Sequence, residues 1–126
     1  MRRSRSRSTP AAKTQIITTV AGNGVFGSSG DGGPATAASI GPWGIAVGAD
    51  GTIYFSNVDN TIREFVPGGH ISTLAGTGYF GFGGDGGPAR MAEICGGSGM
   101  AVDKTGSLFI GDGCNFRVRK VSFPKP

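Results

Sequence analysis

Metal-binding and titratable chemistry is sparse in this chain. It has one histidine, His70, and two cysteines, Cys95 and Cys114, among 126 residues. Two cysteines do not make a disulfide-stapled framework. One histidine with no cysteine close to it falls short of the three or four ligands that hold zinc. Nothing resembles the Gly-x-Ser-x-Gly elbow of a nucleophilic hydrolase, so no catalytic residue, metal site or cofactor is assigned. No apolar run approaches the roughly 18 residues of a membrane span, which argues against a membrane partner. The N-terminus has no apolar h-region and so shows no secretory signal. An intracellular location is favoured on that ground, and the compartment itself is left open.

Acidic residues are also missing from the start. Arg2, Arg3, Arg5, Arg7 and Lys13 carry +5, with no acid before Asp31. The remaining 7 basic and 8 acidic residues leave −1, so the net +4 belongs to a tail. The rest of the chain lacks the basic footprint of a nucleic-acid binder. Residues 1–13, MRRSRSRSTPAAK, are polar, basic and without hydrophobic period, and are expected to be disordered. Such a tail is solvated in the plainest reading. It is also open to RNA contact, to a role as an organelle transit peptide and to phosphorylation between its arginines.

What the sequence has in excess is glycine, 25 residues, with 7 prolines. Here glycine alternates with short apolar runs, so turns are dense and little is left for helices. The chain also repeats itself. Val20 to Ala35 reads VAGNGVFGSSGDGGPA and Leu74 to Ala89 reads LAGTGYFGFGGDGGPA, 54 residues apart. Gly44-Ile45-Ala46-Val47 faces Gly99-Met100-Ala101-Val102 at an offset of 55, and Ile62-Arg63-Glu64-Phe65 faces Val118-Arg119-Lys120-Val121 at 56. The drift records one residue gained or lost in each of two loops.

Turn residues divide each unit into short strands. Four are expected in the first unit: Gly44 to Val47, Thr52 to Ser56, Thr61 to Val66 and His70 to Ala75. Asp50-Gly51 turns the first hairpin. Three are expected in the second: Met100 to Val102, Ser107 to Gly111 and Phe116 to Ser122. The counterpart of the missing fourth stands at the other end, where Gln15 to Ala21, QIITTVA, matches HISTLA at His70 to Ala75. The fold class is all-β: about two four-stranded antiparallel units over residues 14–122. A strand at 15–21 completes one blade, 44–75 is a full blade, 99–122 supplies three strands of the next, and 123–126 is a C-terminal tail. Four-stranded antiparallel units are the composition of propeller blades.

At these residues the sequence resembles the NHL-repeat family. The matching motifs are ITTVAGNG and ISTLAGTG, the two GDGGPA loops, GIAV with GTIYF, GMAV with GSLFIGD, and NFRVRKV. They cover roughly residues 15–122. The resemblance implies a β-propeller, commonly six-bladed, used as a binding platform; the family includes protein- and RNA-binding modules, extracellular sensors and a few enzymes. Two departures stand out. Asn57 to Asn60 is one residue shorter than Asp112 to Phe116, and the Pro42-Trp43-Gly44 lead into the first strand becomes Gly97-Ser98-Gly99. Two blades leave open sheet edges where propellers close with 4 to 8. The chain is therefore read as a piece of a longer propeller, as one of three copies closing a six-bladed ring with each N-terminal strand completing the last blade of a neighbour, or as a marginally stable chain.

Candidate residues follow from that frame. Asp31 and Asp85 sit in glycine-rich loops with one carboxylate each, too few for calcium, and are expected to hydrogen-bond nearby loop amides and shape the turn. Cys95 and Cys114 lie in connections expected on the same face; a disulfide is compatible with that, while free thiols are the intracellular default. Trp43, Tyr79, Phe80 and Phe82 fall in loops leading into the blades. Phe26 and Phe80 occupy equivalent repeat positions, which favours packing between blades over a role as ligand anchors. Trp43, Asn57, Asp59, Asn60, Asp112, Asn115 and Arg117 are the candidates for ligand binding. The leading expectation is a non-catalytic scaffold for a protein or other macromolecule. The alternatives are a propeller enzyme of gluconolactonase-like or lyase type, and RNA binding through the tail.

Overall fold

The computed structural model describes residues 14–97 and 99–124. The Arg/Ser tail, and with it the expectations of disorder and RNA contact, lies outside the described residues. The chain is all-β. Four strands, β1 (Pro42–Val47), β2 (Ile53–Asn57), β3 (Thr61–Phe65) and β4 (Ser72–Ala75), form one antiparallel sheet in sequential order. Three more, β5 (Met100–Val102), β6 (Leu108–Asp112) and β7 (Arg117–Val121), form a second. The only helical elements among the described residues are three short 3₁₀ turns at Ala35–Ala37, Ala89–Met91 and Gly113–Asn115.

The turns follow their residues. The β1–β2 connection closes with Gly48 N–H donating to Thr52 O at 2.8 Å, and the Asp50 carboxylate accepts from Thr52 N–H at 3.0 Å. Gly51 takes the positive φ of this turn, at +90°. The longer β6–β7 turn absorbs its extra residue as the 3₁₀ turn Gly113–Asn115. β5 is three residues long against six in β1, and it is β5 that lacks the Pro-Trp lead.

Alternation along the strands builds two faces on each sheet. Ala46, Tyr54, Ile62 and Ala75 point from the first sheet toward the second, where Ile94, Leu108, Ile110 and Val121 meet them in one buried cluster. The opposite face of the first sheet gathers Phe55, Phe65 and Ile71 under Ala35 and Ala38 of the preceding loop. Phe55 and Phe65 touch edge to face, their centroids 6.1 Å apart. The loop edge also behaves as a short strand beside β4: Gly32 N–H donates to Ile71 O at 2.7 Å and Ile71 N–H to Gly33 O at 3.0 Å.

Two outcomes bear on the expectations. Residues 15–21 pair with no strand of their own chain, and the segment is exposed up to Val20. A strand requires a ladder partner, and among the described residues the two sheets are built from β1–β4 and β5–β7. The aromatics of the lead-in loops do not fill the gap between the sheets either. Phe26, Tyr79 and Phe80 are exposed, because strand side chains already close that gap.

Candidate functional site

One end of the two sheets carries all the residues singled out as binding candidates. There the β2–β3 turn meets the lead into β1, with Val58 N–H donating to Gly41 O at 2.9 Å. The β6–β7 turn meets the lead into β5 in the same way, Cys114 N–H donating to Cys95 O at 3.1 Å. Cys95 and Cys114 are joined as a disulfide, with Cα atoms 5.4 Å apart, so the free-thiol default does not describe this structure. The bond ties together two connections that the first unit holds by hydrogen bonds alone.

The candidates divide into a buried and an exposed set. Asn57 and Asp112 are repeat equivalents, and both are buried. Asn57 Oδ1 accepts from Gly41 N–H and Asp112 Oδ1 from Cys95 N–H, each at 2.7 Å. Asn57 Nδ2 also donates to Gly27 O at 3.2 Å. In the second unit Asn115 Nδ2 takes over that duty, donating to Gly81 O at 2.6 Å and to Asp112 Oδ2 at 2.9 Å. Each of these three side chains commits a polar atom to loop backbone. Asp59 is half-buried and accepts from Asn57 Nδ2 and Thr61 Oγ1. Burial raises its pKa, but hydrogen bonds from Ser28, Thr61 and Asn57 outweigh that and hold it below the ordinary carboxylate range. Asn60 closes the same turn in the left-handed region, φ +63°.

The exposed set is aromatic and cationic. Trp43 stands exposed at the start of β1. Arg117 stacks its guanidinium 4.2 Å over the Phe82 ring, and Arg119 lies 4.9 Å from the same ring. Tyr79 and Phe80 precede Phe82 on its loop, and Phe116 stands 94% exposed beside Arg117. Phe116 occupies the turn position of Asn60 and, like it, has positive φ, +54°. An aromatic residue in that conformation is uncommon and is strained there.

The loop aspartates do not mainly serve nearby amides. Asp31 Oδ1 pairs with Arg63 at 2.7 Å and Asp31 Oδ2 accepts from Thr73 at 2.5 Å. Asp85 pairs with Arg119 at 2.8 Å. Arg63 and Arg119 escaped the sequence reading although they hold each unit together. Arg63, 1% exposed, also donates to the carbonyls of Ser29 and Ser39, the two residues of an isolated β-bridge. Arg119 does the same to Gly83 and Glu93, the equivalent bridge, and adds Asp112 at 2.8 Å. A third-strand arginine thus pins the glycine-rich loop from beneath by two carbonyls and a carboxylate. The signal was present: arginine is the one charged residue the two third strands share. For Asp31, burial raises the pKa, while the Thr73 and Arg63 hydrogen bonds and the Arg63 charge lower it further, so it lies below 3.8.

His70 is exposed after the β3–β4 turn. Among the described residues no group of three or more His, Cys, Asp or Glu side chains could hold a metal ion, and no helix is long and apolar enough to cross a membrane. The chain matches no family model and none of the curated proteins.

Proposed function

We propose that this chain is a pair of NHL-type propeller blades, from a ring commonly of six, that serves as a non-catalytic scaffold. Its partner is a protein or other macromolecule, gripped at the end of the sheets where Trp43, Tyr79, Phe82, Phe116 and Arg117 are exposed. The carrying observation is Phe116. The β6–β7 turn needs this left-handed conformation, and Phe116 N–H donates to Gly113 O at 3.2 Å to close it, yet the position carries an aromatic ring, at a strain of about 1–2 kcal/mol, and that ring stands 94% exposed. Strain held at an exposed position is a mark of a contact surface. Aromatic residues with a neighbouring arginine are the side chains that anchor interfaces. The buried Asn57 and Asp112 and the half-buried Asn115 support this surface by fixing the loops that carry it.

The test uses the chain and two variants, Phe116→Asn and Arg117→Ala, as matched baits. Phe116→Asn adopts the residue of the equivalent turn and should leave stability unchanged or raise it by up to about 1 kcal/mol. Both variants should lose the bound partner. A partner set that both variants retain in full refutes this reading.

A further inference from the structure

The two GDGGPA loops are alike in sequence but differ in what lies beside them. In the first unit β4 runs between the loop and β3. Gly32 N–H donates to Ile71 O, Ile71 N–H to Gly33 O and Ala35 N–H to Gly69 O. Thr73 Oγ1 donates to Asp31. On its other side β4 pairs with β3 through Ile62↔Ala75, Arg63↔Thr73 and Glu64↔Ser72. In the second unit the sheet has, among the described residues, no strand beyond β7. The corresponding place is a cleft of about 290 Å³, lined by Asp85, Gly86, Gly87, Arg119, Lys120 and Val121.

We propose that this cleft is a strand-binding slot and that its occupant is Gln15–Ala21 of a second copy of the chain. The segment has the pattern of β4: aligning Val20-Ala21-Gly22 with Leu74-Ala75-Gly76 puts Ile17 on Ile71 and Thr19 on Thr73. Ile71 is 0% exposed, while Ile17 is 95% exposed. Seated in the slot, Thr19 reaches Asp85 as Thr73 reaches Asp31, and Ile17 exchanges backbone hydrogen bonds with Gly86 and Gly87. Main-chain pairing supplies the affinity and alternate side chains the register. The segment's own copy does not supply it. Ala21 packs with the cluster on the outer face of the first sheet, whereas the slot borders the cluster on its inner face.

The connectivity reinforces the assignment. Within the chain, β4 leads through its loop into a sheet that stacks on the one β4 completes. A second copy entering by Gln15–Ala21 therefore brings its own first sheet onto the outer face of β5–β7. That face is open: Val118 is 74% exposed, whereas its equivalent Ile62, covered by the second sheet, is 1% exposed. The incoming face offers Ile45 and Val47, both exposed, at the positions of Met100 and Val102, which pack between the sheets. The contact is head-to-tail, and head-to-tail contacts close into rings when the rotation allows. Rings of roughly 4 to 8 blades take two to four copies. This association is separate from the macromolecular contact proposed above and does not depend on it.

Light scattering on the full chain, from micromolar to millimolar protein, tests the slot. The expected mass is two to four times 12.7 kDa. Ile17→Asp and Thr19→Pro alter only an exposed segment; each should give a monomer with unchanged far-ultraviolet circular dichroism. Register is read by mixing a Thr18→Cys chain with a Lys120→Cys chain, which should oxidise to a cross-linked pair, whereas Ile17→Cys, facing the opposite side, should not. A wild-type chain that stays monomeric overturns the proposal. So does association undiminished by both substitutions, or cross-linking as efficient from position 17 as from 18.

Discussion

Replacing Asp31 by asparagine leaves a buried guanidinium with two carbonyl partners and no counter-charge. Arg63 has one carboxylate, while Arg119 has two, Asp85 and Asp112. A hydrogen bond to a charged group contributes about 1.5–3 kcal/mol net. The Asp31 side chain is 44% exposed, and solvent screening reduces its pairing toward the exposed-pair range, so Asp31→Asn should cost about 1–2 kcal/mol. Asp85→Asn should cost under about 1 kcal/mol, since Asp112 still neutralises Arg119. Arg63→Ala takes the arginine donor from the Ser29 and Ser39 carbonyls and the counter-charge from Asp31, and should cost about 2–4 kcal/mol, from about 1–3 kcal/mol for a buried acceptor left unsatisfied together with the lost packing of the buried stem. Urea titration at one fixed protein concentration reads all three, because association shifts apparent stability. The expected order is Arg63→Ala, then Asp31→Asn, then Asp85→Asn. Equal losses at the two aspartates, or an Arg63→Ala loss under about 1 kcal/mol, would refute the idea that the arginine locks the loop.

Three further outcomes follow from the same geometry. Asp31 and Asp59 both titrate below 3.8 in the folded chain, so their stabilisation is complete above that pH and lost as pH falls through the folded values; urea midpoints measured against pH should show this acid limb, flattened in Asp31→Asn. Cys95 and Cys114 are 19 residues apart, and closing such a loop contributes about 3 kcal/mol; thermal melts with and without reductant should differ accordingly, and Cys114→Ser should match the reduced protein. Gly30 has φ +95°, and a Cβ there would lie 2.8 Å from Ala38 Cα, whereas Gly51 at φ +90° faces open space. Gly51→Ala should therefore cost about 1 kcal/mol from φ alone and Gly30→Ala clearly more, as read from paired urea midpoints.

The strand plan was legible because it rests on local signals. Period-two apolar runs and Asp-Gly or Pro-Gly punctuation located all seven strands to within one or two residues, and Met100–Val102 to the residue. The 54- to 56-residue repeat foretold which side chains would be equivalent. Other features depend on partners distant in sequence. The Arg63–Asp31 pair spans 32 residues, and a single charged residue in a short strand reads locally as solvent-facing. Asn57 and Asp112 read as turn decoration for the same reason, yet a turn that folds back on a lead-in loop buries its polar atoms. Gln15–Ala21 had the composition of a strand, but composition does not supply the neighbour that a ladder requires.

The β2–β3 and β6–β7 turns open toward the same end of both sheets, so stacking by repetition has a fixed polarity. In the assembly proposed above, each added copy would place another Trp43 and another Phe116–Arg117 on one rim, all oriented alike. A rim of this kind would hold an extended or repetitive ligand by several weak grips at once, and its avidity would grow with the number of grips while each remained individually reversible. Lowering the number of copies should therefore weaken retention far more steeply than weakening any one grip.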